Sequence, residues 1–275
     1  MKFSLYPHQH ILELGQRGNQ EDCVTPLEGA LLSHNQVFVV CDGMGGHNGG
    51  EVASQAVCES LVAATKKLRL NRYALTEQQL YKLIETSYQH LDRCELAPEH
   101  LKMGTTMTFL AFHRGGATVA HIGDSRVYQF RPGMKSPLFV TRDHSLVNEL
   151  VTAGELTADE ARTSTIRNVI TKAMQPHEFP RVMPDSVVLT DIRRGDWFFL
   201  CTDGMLENMD DAELTALITN KDLTDREKCV ELRRRTTSNS DNHSAILIRI
   251  RHVYGRTARA LFSSTVFCHH RHSSK

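Results

Sequence analysis

Four aspartates in this sequence lie beside runs of apolar residues, at points where β-strands would begin or end. Asp42, for example, directly follows the run Val-Phe-Val-Val-Cys at 37–41. The four residues are Asp42, Asp124, Asp203 and Asp241. Because the end of a strand holds its side chain rigidly, carboxylates in such positions can converge on one point although they are far apart in the sequence.

Converging carboxylates indicate a bound cation. Like charges repel one another, and burying them is costly unless a cation lies among them. A cluster made only of oxygen ligands suits Mg²⁺ or Mn²⁺. The sequence therefore predicts a metal site assembled from distant segments of the chain.

The elements that would position these residues belong to an α+β pattern. Apolar runs bounded by turn residues predict strands at 36–42, 105–113, 117–130, 136–142, 185–191, 196–202 and 244–251. Helical spacing of apolar residues predicts helices at 51–68, 76–93, 145–153, 211–219 and 225–235. The strands come in clusters and the helices in pairs, which favours antiparallel sheets with helices packed outside them over a doubly wound parallel sheet.

Length and composition describe an ordinary globular protein of one large domain or two small ones. Of the 275 residues, 32 are Lys or Arg and 32 are Asp or Glu, so the net charge gives no reason to expect nucleic acid or a membrane as a partner. The first ten residues lack the apolar stretch of a signal peptide, and no run approaches the roughly 20 apolar residues that span a bilayer. We therefore expect a cytoplasmic protein.

The seven cysteines are odd in number and include no Cys-x-x-Cys pair. Several lie in apolar runs, where a reduced cysteine behaves as a small hydrophobic residue, and this favours a reducing compartment. Cys41 and Cys201 lie close to Asp42 and Asp203. That placement could indicate redox chemistry, but we interpret both cysteines as packing residues of strands.

Two segments depart from the regular pattern. Residues 144–172 are rich in small and polar side chains, and they predict a surface excursion, or flap, over the functional site. After about residue 251 the periodicity fades, and residues 252–275 predict a basic, flexible tail. Residues 1–251 then form the folded part of the chain.

Six short motifs together resemble a known family. In chain order they are Arg17-Gly18-Asn19-Gln20-Glu21-Asp22, Asp42-Gly43-Met44-Gly45-Gly46-His47, Gly104-Thr105-Thr106, Gly123-Asp124-Ser125-Arg126, Thr202-Asp203-Gly204 and Ser240-Asp241-Asn242. Any one of them is a weak signal. Six in order and at similar spacing resemble the bacterial form of the metal-dependent serine/threonine protein phosphatases of type 2C, the PPM class, over about residues 10 to 251.

The resemblance implies a fold and a metal content. The fold is a four-layer αββα sandwich, in which two antiparallel β-sheets are flanked by helices and the metal centre lies in a cleft at one edge. Residues 1–251 are the catalytic domain of this fold. Two ions of Mn²⁺ or Mg²⁺ are expected, with a third at a weaker site.

The resemblance also assigns metal ligands. It implies that Asp42 bridges the two metals and that the carbonyl of Gly43 binds one of them. Asp203 and Asp241 match the carboxylates that hold the first metal. Asp124, together with Asp203, matches the site of the third metal.

Arg17 and the pair Glu21 and Asp22 complete the implied site. Arg17 matches the arginine that grips the phosphoryl group, for which a guanidinium fork is well suited. Glu21 and Asp22 match the side of the second metal. Adjacent residues of a strand point in opposite directions, so only one of the two is expected to reach the metals directly, and the sequence leaves open which.

The implied reaction is hydrolysis of phosphoserine or phosphothreonine by direct attack of a hydroxide that bridges the metals, without a Cys or Ser nucleophile. The leaving oxygen needs a proton. Met44 stands where eukaryotic members carry the histidine assigned as the general acid. His47 is the nearest substitute, as a proton donor or as a structural residue that caps the following helix, and the acid is not identified.

The flap departs from the bacterial pattern, because Ser164-Thr165 occupies the stretch where a His-Pro is common. Loops over a site tune the access of substrates, so the preference among phosphoproteins is left open. The implied partners are phosphoserine and phosphothreonine proteins and a cognate bacterial Ser/Thr kinase, and we expect a monomer.

Two other functions compete with this one. A pseudophosphatase would keep the fold and bind a phosphoprotein without turnover. A metal-dependent phosphodiesterase or nuclease would act on another phosphate ester, but the neutral charge balance and the absence of interleaved basic and aromatic residues speak against nucleic acid.

Overall fold

The strands and helices lie in the parts of the chain that the computed structural model describes, residues 1–27, 36–45, 49–94, 103–166 and 168–255. The strands in these ranges are β1 (Lys2–Leu5), β2 (Gln9–Glu13), β3 (Cys23–Thr25), β4 (Gln36–Cys41), β5 (Gly43–Met44), β6 (Gly104–Thr105), β7 (Met107–His113), β8 (Gly116–Ile122), β9 (Arg126–Phe130), β10 (Phe139–Val140), β11 (Asp185–Leu189), β12 (Trp197–Cys201) and β13 (His243–Tyr254). The helices are α1 (Gly49–Thr65), α2 (Glu77–Asp92), α3 (Leu146–Ala153), α4 (Ala158–Thr163), α5 (Asp211–Thr219) and α6 (Asp225–Thr236), and a 3₁₀ turn covers Asp203–Leu206.

These strands form two large antiparallel sheets. Sheet I has the order β1-β13-β12-β9-β10, and β2 pairs with the first half of β13 while β1 pairs with its second half. Sheet II has the order β11-β8-β7-β4-β3. A short ribbon of β5 and β6 continues from the end of β4.

Alternating side chains on the strands produce three apolar layers. On β4, Val37 and Val39 face α1 and α2, whereas Phe38 and Val40 face sheet I. The outer face of sheet I, which includes Phe199, packs against α5 and α6. The layers therefore run helices, sheet II, sheet I, helices, and the predicted four-layer αββα sandwich is confirmed.

Local signals explain where several helices begin. Four helices start with a capping box, in which the N-cap side chain accepts the N–H of the third helical residue and that residue's side chain bonds back. The N-cap residues are Thr76, Thr157, Asp210 and Thr224. The helices predicted at 211–219 and 225–235 consequently agree with α5 and α6 to within one residue.

Some predicted boundaries were wrong. The run at 117–130 is two strands, because Gly123, with φ of +97°, lies in the turn that reverses the chain between β8 and β9. β13 continues to Tyr254 because β1 pairs with it there, so residues 252–254 belong to the sheet and not to the tail. The short strands β1 to β3 and the helix α4 were not predicted. Residues 256–275 and His47 lie outside the described residues.

Candidate metal centre

The aspartates at the strand ends are brought together at one end of the two sheets. Asp42 lies between β4 and β5, and Asp124 lies in the turn between β8 and β9. Asp203 is the first residue of the 3₁₀ turn after β12, and Asp241 shortly precedes β13. Asp22 directly precedes β3. We call these five residues the acidic cluster.

Burial and mutual repulsion act on four members of the acidic cluster, Asp22, Asp42, Asp124 and Asp203. Burial raises the pKa of Asp42 well above its ordinary value, and the charges of the other four residues add to that shift. Burial, followed by the charges of Asp203 and Asp241, raises the pKa of Asp22 to about 7. Burial and the charge of Asp203 raise the pKa of Asp124 to about 7 as well. Carboxyl groups in this state attract either protons or a cation.

The chemistry of the cluster fits a hard divalent cation. Oδ1 of Asp22 is buried and has no hydrogen-bond partner among the described residues, while its Oδ2 accepts the Thr202 hydroxyl at 3.0 Å. The carboxyl groups of Asp42 and Asp203 lie near enough for each to affect the pKa of the other. In the described part of the chain no three acidic, His or Cys side chains form a ready ligand set. The fit therefore rests on carboxylate oxygens that raise one another's pKa, with the unpartnered Oδ1 of the buried Asp22 among them. Oxygen ligands of this kind are the ones that Mg²⁺ and Mn²⁺ prefer.

The backbone of Asp42 is fixed by two threonines. Its N–H donates to Oγ1 of Thr106 at 2.9 Å, and the N–H of Thr106 donates back to the Asp42 carbonyl at 2.8 Å. The Thr105 hydroxyl donates to the same carbonyl at 2.8 Å. The hydroxyl oxygens of Thr106 and Ser125 are 2.7 Å apart, which links this strand end to the turn that carries Asp124. These threonines position two members of the cluster, a role that the sequence analysis did not assign.

Gly43 occupies a place without room for a side chain. A Cβ atom there would lie 2.1 Å from the carbonyl oxygen of Gly50 and 2.4 Å from that of Glu21. The Gly43 N–H also donates to the Glu21 carbonyl at 3.1 Å. The first turn of α1 can therefore pack closely below Asp42 only because a glycine follows it. The predicted role of the Gly43 carbonyl as a metal ligand stays a prediction.

Asn242 holds three segments of the site in register. Its Oδ1 accepts the N–H of Glu21 at 2.8 Å, and its Nδ2 donates to the carbonyls of Leu14 and Asn19 at 2.8 and 3.1 Å. Its own N–H donates to Oδ1 of Asp241 at 2.8 Å. The side chain is buried. Asn242 thereby ties the segment that carries Glu21 to Asp241, a function that its motif does not reveal in the sequence.

Glu21 and Asp22 have different surroundings. Asp22 is buried in the acidic cluster and its charge raises the pKa of Asp42. Glu21 is partly exposed, and its Oε1 accepts a hydrogen bond from Asn19 at 3.2 Å. Asp22 is thus the member of the pair that shares the electrostatics of the cluster, and which of the two reaches a metal stays a prediction.

Arg17 lies at the edge of the acidic cluster, and its role in binding the phosphoryl group stays a prediction. Its Nη2 donates to Oδ2 of Asp241 at 2.7 Å. This hydrogen bond, and next the charge of Asp241, raise the pKa of Arg17. More than half of the Arg17 side chain is exposed, so its guanidinium group is accessible from solvent.

Asp143 is an acidic residue of this region that the sequence analysis missed. Its two carboxylate oxygens each accept a hydrogen bond of 2.7 Å from Arg126. After burial and Asp203, its charge contributes to the raised pKa of Asp124. Asp143 stands three residues after β10, so the rule that identified the other strand-end aspartates could have found it. Arg126 makes these two hydrogen bonds and a third to the Tyr128 hydroxyl, so it has a structural role in this region.

The flap, residues 144–172, is anchored beside the Asp124 turn. His144 donates its N–H to the carbonyl of Gly123 at 3.0 Å and accepts the Gly123 N–H on Nδ1 at 3.1 Å. A bridge between Ser145 and Ile170 joins the two ends of the segment, which carries α3 and α4. Its base therefore lies next to the acidic cluster, and its placement over the cleft stays a prediction.

Fold and motifs agree with the comparisons with known proteins. The family model for protein phosphatase 2C matches residues 20–246, and the chain belongs to this family. The protein phosphatase PhpP of Streptococcus pneumoniae is 30% identical over 213 residues, which cover 76% of this chain and 83% of PhpP. The resemblance to bacterial type 2C phosphatases is thus confirmed.

Solved structures show the same relationship. A serine/threonine phosphatase of S. agalactiae has a TM-score of 0.77 at 27% identity, over 90% of this chain and 100% of that one. The catalytic domain of the serine/threonine protein phosphatase PstP, solved in complex with two manganese ions, has a TM-score of 0.73 at 26% identity, over 90% of this chain and 99% of that one.

Proposed function

We propose that the protein is a metal-dependent phosphatase that hydrolyses phosphoserine and phosphothreonine in proteins. The observation that carries this proposal is the acidic cluster at the end of the two sheets, in which burial and neighbouring carboxylates raise the pKa of Asp22, Asp42, Asp124 and Asp203. The relatives are protein phosphatases of the same family. Nothing in these comparisons supports the alternative of a pseudophosphatase.

Each residue of the site has a task in this proposal. Asp42, Asp203 and Asp241 hold two divalent ions, Asp22 or Glu21 completes the second site, and Asp124 contributes to a third. Such ions, when bound, supply an activated water and neutralise phosphoryl charge. Arg17 binds the phosphoryl oxygens and orients the ester, for which its exposed guanidinium group is suitably placed.

Several finer points belong to the same proposal. We take the metal to be Mn²⁺ or Mg²⁺, in line with the manganese ions of the PstP catalytic domain. The substrates are phosphoproteins, a Ser/Thr kinase supplies them, and the enzyme acts as a cytoplasmic monomer. In the described ranges no helix combines the length and the apolar character needed to cross a membrane. The proton donor to the leaving oxygen is not assigned, because His47 lies outside those ranges.

The test is hydrolysis of a phosphothreonine peptide by metal-stripped protein, with and without added Mn²⁺. We expect turnover only with Mn²⁺. Asp203→Asn keeps the shape of the side chain but removes a charge that the metals need, so activity should fall by roughly 100-fold or more. Asp222→Asn, in the exposed turn between α5 and α6, removes the same charge elsewhere and should leave activity unchanged.

The competing functions give different results in this assay. Mn²⁺ binding without release of phosphate would indicate a protein that only binds its phosphoprotein. Hydrolysis of DNA or of a cyclic dinucleotide, but not of the peptide, would indicate a phosphodiesterase. Full activity in Asp203→Asn would refute the proposed site.

A further inference from the structure

Three cysteines meet directly beneath the metal centre. Cys23 is the first residue of β3 and follows Asp22, and Cys41 is the last residue of β4 and precedes Asp42. The two cysteines are directly paired across the antiparallel strands. Cys58 approaches them from the middle of α1, in the apolar layer between sheet II and the helices.

The Cys58 thiol lies close to the backbone of both β3 and β4. Sγ of Cys58 lies 3.3 Å from the carbonyl oxygen of Cys23 and 4.0 Å from that of Val39. The Cys23 and Cys41 thiols both act on the pKa of Cys58, so the three side chains are neighbours. Cys41 and Cys58 are fully buried, whereas Cys23 is partly exposed. Cys23 is therefore the entry point for a small reagent, and Cys58 is the thiol that can reach it.

We propose that Cys23 and Cys58 form a peroxide-responsive modification site that closes into a disulfide. Hydrogen peroxide oxidises the Cys23 thiol to a sulfenic acid and is itself reduced to water. The Cys58 thiol then attacks the Cys23 sulphur, the S–S bond forms, and the sulfenic oxygen leaves as a second water. Two thiols thus lose two electrons and two protons to one peroxide, and a dithiol reductant reverses the change.

The position of the disulfide couples it to the acidic cluster. The face of α1 that carries Cys58 also carries Ser54 one turn earlier, and the Ser54 hydroxyl donates to the Glu21 carbonyl at 2.5 Å. Gly50, one turn before Ser54 in α1, packs against Gly43. An S–S bond of about 2.05 Å is shorter than any non-bonded contact of two sulphurs, so its formation draws β3 and α1 together. Because the backbone of Asp22 lies between these contacts, a displacement of β3 is passed on to it.

Two consequences follow, and only the second rests on the proposed function. The cross-link itself depends only on the thiols of Cys23 and Cys58. The displacement of Asp22 weakens binding of Mn²⁺ to the cluster, so oxidised protein should bind Mn²⁺ at least tenfold more weakly than reduced protein. Reduction should restore the binding.

The cross-link is tested by mass spectrometry on protein with Cys94→Ser and Cys268→Ser, which removes a partly exposed thiol and one outside the described residues. After hydrogen peroxide treatment we expect a loss of two hydrogens in the intact protein and a linked pair of peptides carrying Cys23 and Cys58. In Cys58→Ala, the link should be absent and dimedone should label Cys23. Cys229→Ser, a buried cysteine of another apolar layer, is the control and should form the link.

Three results would overturn the assignment. They are a protein that keeps its thiols under peroxide, a link that persists in Cys58→Ala, and a link that joins Cys23 to Cys41. Cys23→Ser, at a partly exposed position, provides a second variant if Cys58→Ala does not fold, and it must also abolish the link.

Calorimetry with Mn²⁺ alone tests the coupling between the disulfide and metal binding. Equal Mn²⁺ affinity of oxidised and reduced protein refutes it, whereas reduced protein that binds no Mn²⁺ refutes the proposed function and leaves the mass result intact.

Discussion

Arg17 and Asp241 form an ion pair at the exposed edge of the acidic cluster, with 2.7 Å between Nη2 and Oδ2. Both side chains are more than one third exposed, so the pair contributes at most about 1 kcal/mol to stability. An ion pair of this strength is easily replaced by contacts with a ligand. A cation on Asp241 and a phosphoryl group on Arg17 can each replace it.

Arg17→Met should therefore move two binding constants in opposite directions. Loss of the guanidinium removes a positive charge from the carboxylates, so Mn²⁺ should bind several-fold more tightly, an effect on the order of 1 kcal/mol. Loss of charged hydrogen bonds to the phosphoryl group should lower kcat/KM for a phosphothreonine peptide by roughly 10- to 100-fold.

Calorimetry and steady-state kinetics measure these two effects. Arg226→Met, at an exposed position in the first turn of α6, is the matched control and should change neither. If Arg17→Met weakened Mn²⁺ binding and peptide turnover together, the arginine would support the local fold rather than bind phosphate.

At the residue scale, the sequence indicated the charged groups but not what holds them. The aspartates were recognisable because each stands beside an apolar run. The supports, such as Thr106 and Asn242, are ordinary polar residues in sequence, and their roles arise from partners 64 and 221 positions away in the chain. Only the fold brings such partners together. Glu21 and Asp22 remained ambiguous because burial, not residue type, distinguishes them.

At the element scale, long elements were predictable and short ones were not. β4, β7, β12 and the helices α2, α5 and α6 carry their own periodicity or capping signal, whereas α4 has a capping box but only six residues. β1 and β2 have four and five residues, and both are strands because β13 is long enough to pair with them in succession. The division of strands between two sheets also has no local signal, since strands buried on both faces are apolar throughout.

The hairpin of β7 and β8 should make stability depend on pH. His113 is buried at its turn, its Nδ1 accepts the N–H of Gly115 at 3.0 Å, and its Nε2 contacts the Thr118 hydroxyl at 2.8 Å. Burial, and next the charge of the N-terminus, lower the pKa of His113 to about 4 from the usual 6.5. Between pH 4 and 6.5 the unfolded chain binds a proton at His113 more readily than the folded protein does. The stabilisation from neutral His113 is therefore complete above pH 6.5 and is lost as pH falls towards 4.

The loss at His113 amounts to at most roughly 3 kcal/mol. Urea unfolding at several pH values between 4.5 and 7.5 measures this loss, with the same series on His113→Gln for comparison. In that variant the slope of the free energy of unfolding against pH should decrease by the equivalent of up to one bound proton. His90→Gln, on the exposed side of α2, should retain the slope of the unchanged protein. An unaltered slope in His113→Gln would place the titration elsewhere.

At the scale of the whole molecule, the acidic cluster exists only where both sheets are folded. Asp42 extends from a strand of sheet II, whereas Asp203 and Asp241 adjoin strands of sheet I. Unfolding separates them, so a cation that binds the cluster binds the native state alone and stabilises it by mass action. The same arrangement destabilises the protein when the carboxylates are charged and no cation neutralises them.

Mn²⁺ should therefore raise the melting temperature more at pH 8 than at pH 6. The folded-state pKa values of Asp22 and Asp124 are both raised to about 7, so the native state binds more protons than the unfolded chain between about pH 4 and 7. Without metal, these two groups make the protein less stable as pH rises through that window. Because Mn²⁺ must displace their protons, its affinity should fall about ten- to a hundred-fold from pH 8 to pH 6.

Thermal unfolding with and without Mn²⁺ at both pH values isolates this difference, since the effects of groups unrelated to the metal cancel. Asp203→Asn should abolish most of the Mn²⁺ shift at either pH, and an equal shift at both pH values in the unchanged protein would show that Asp22 and Asp124 do not take part in binding.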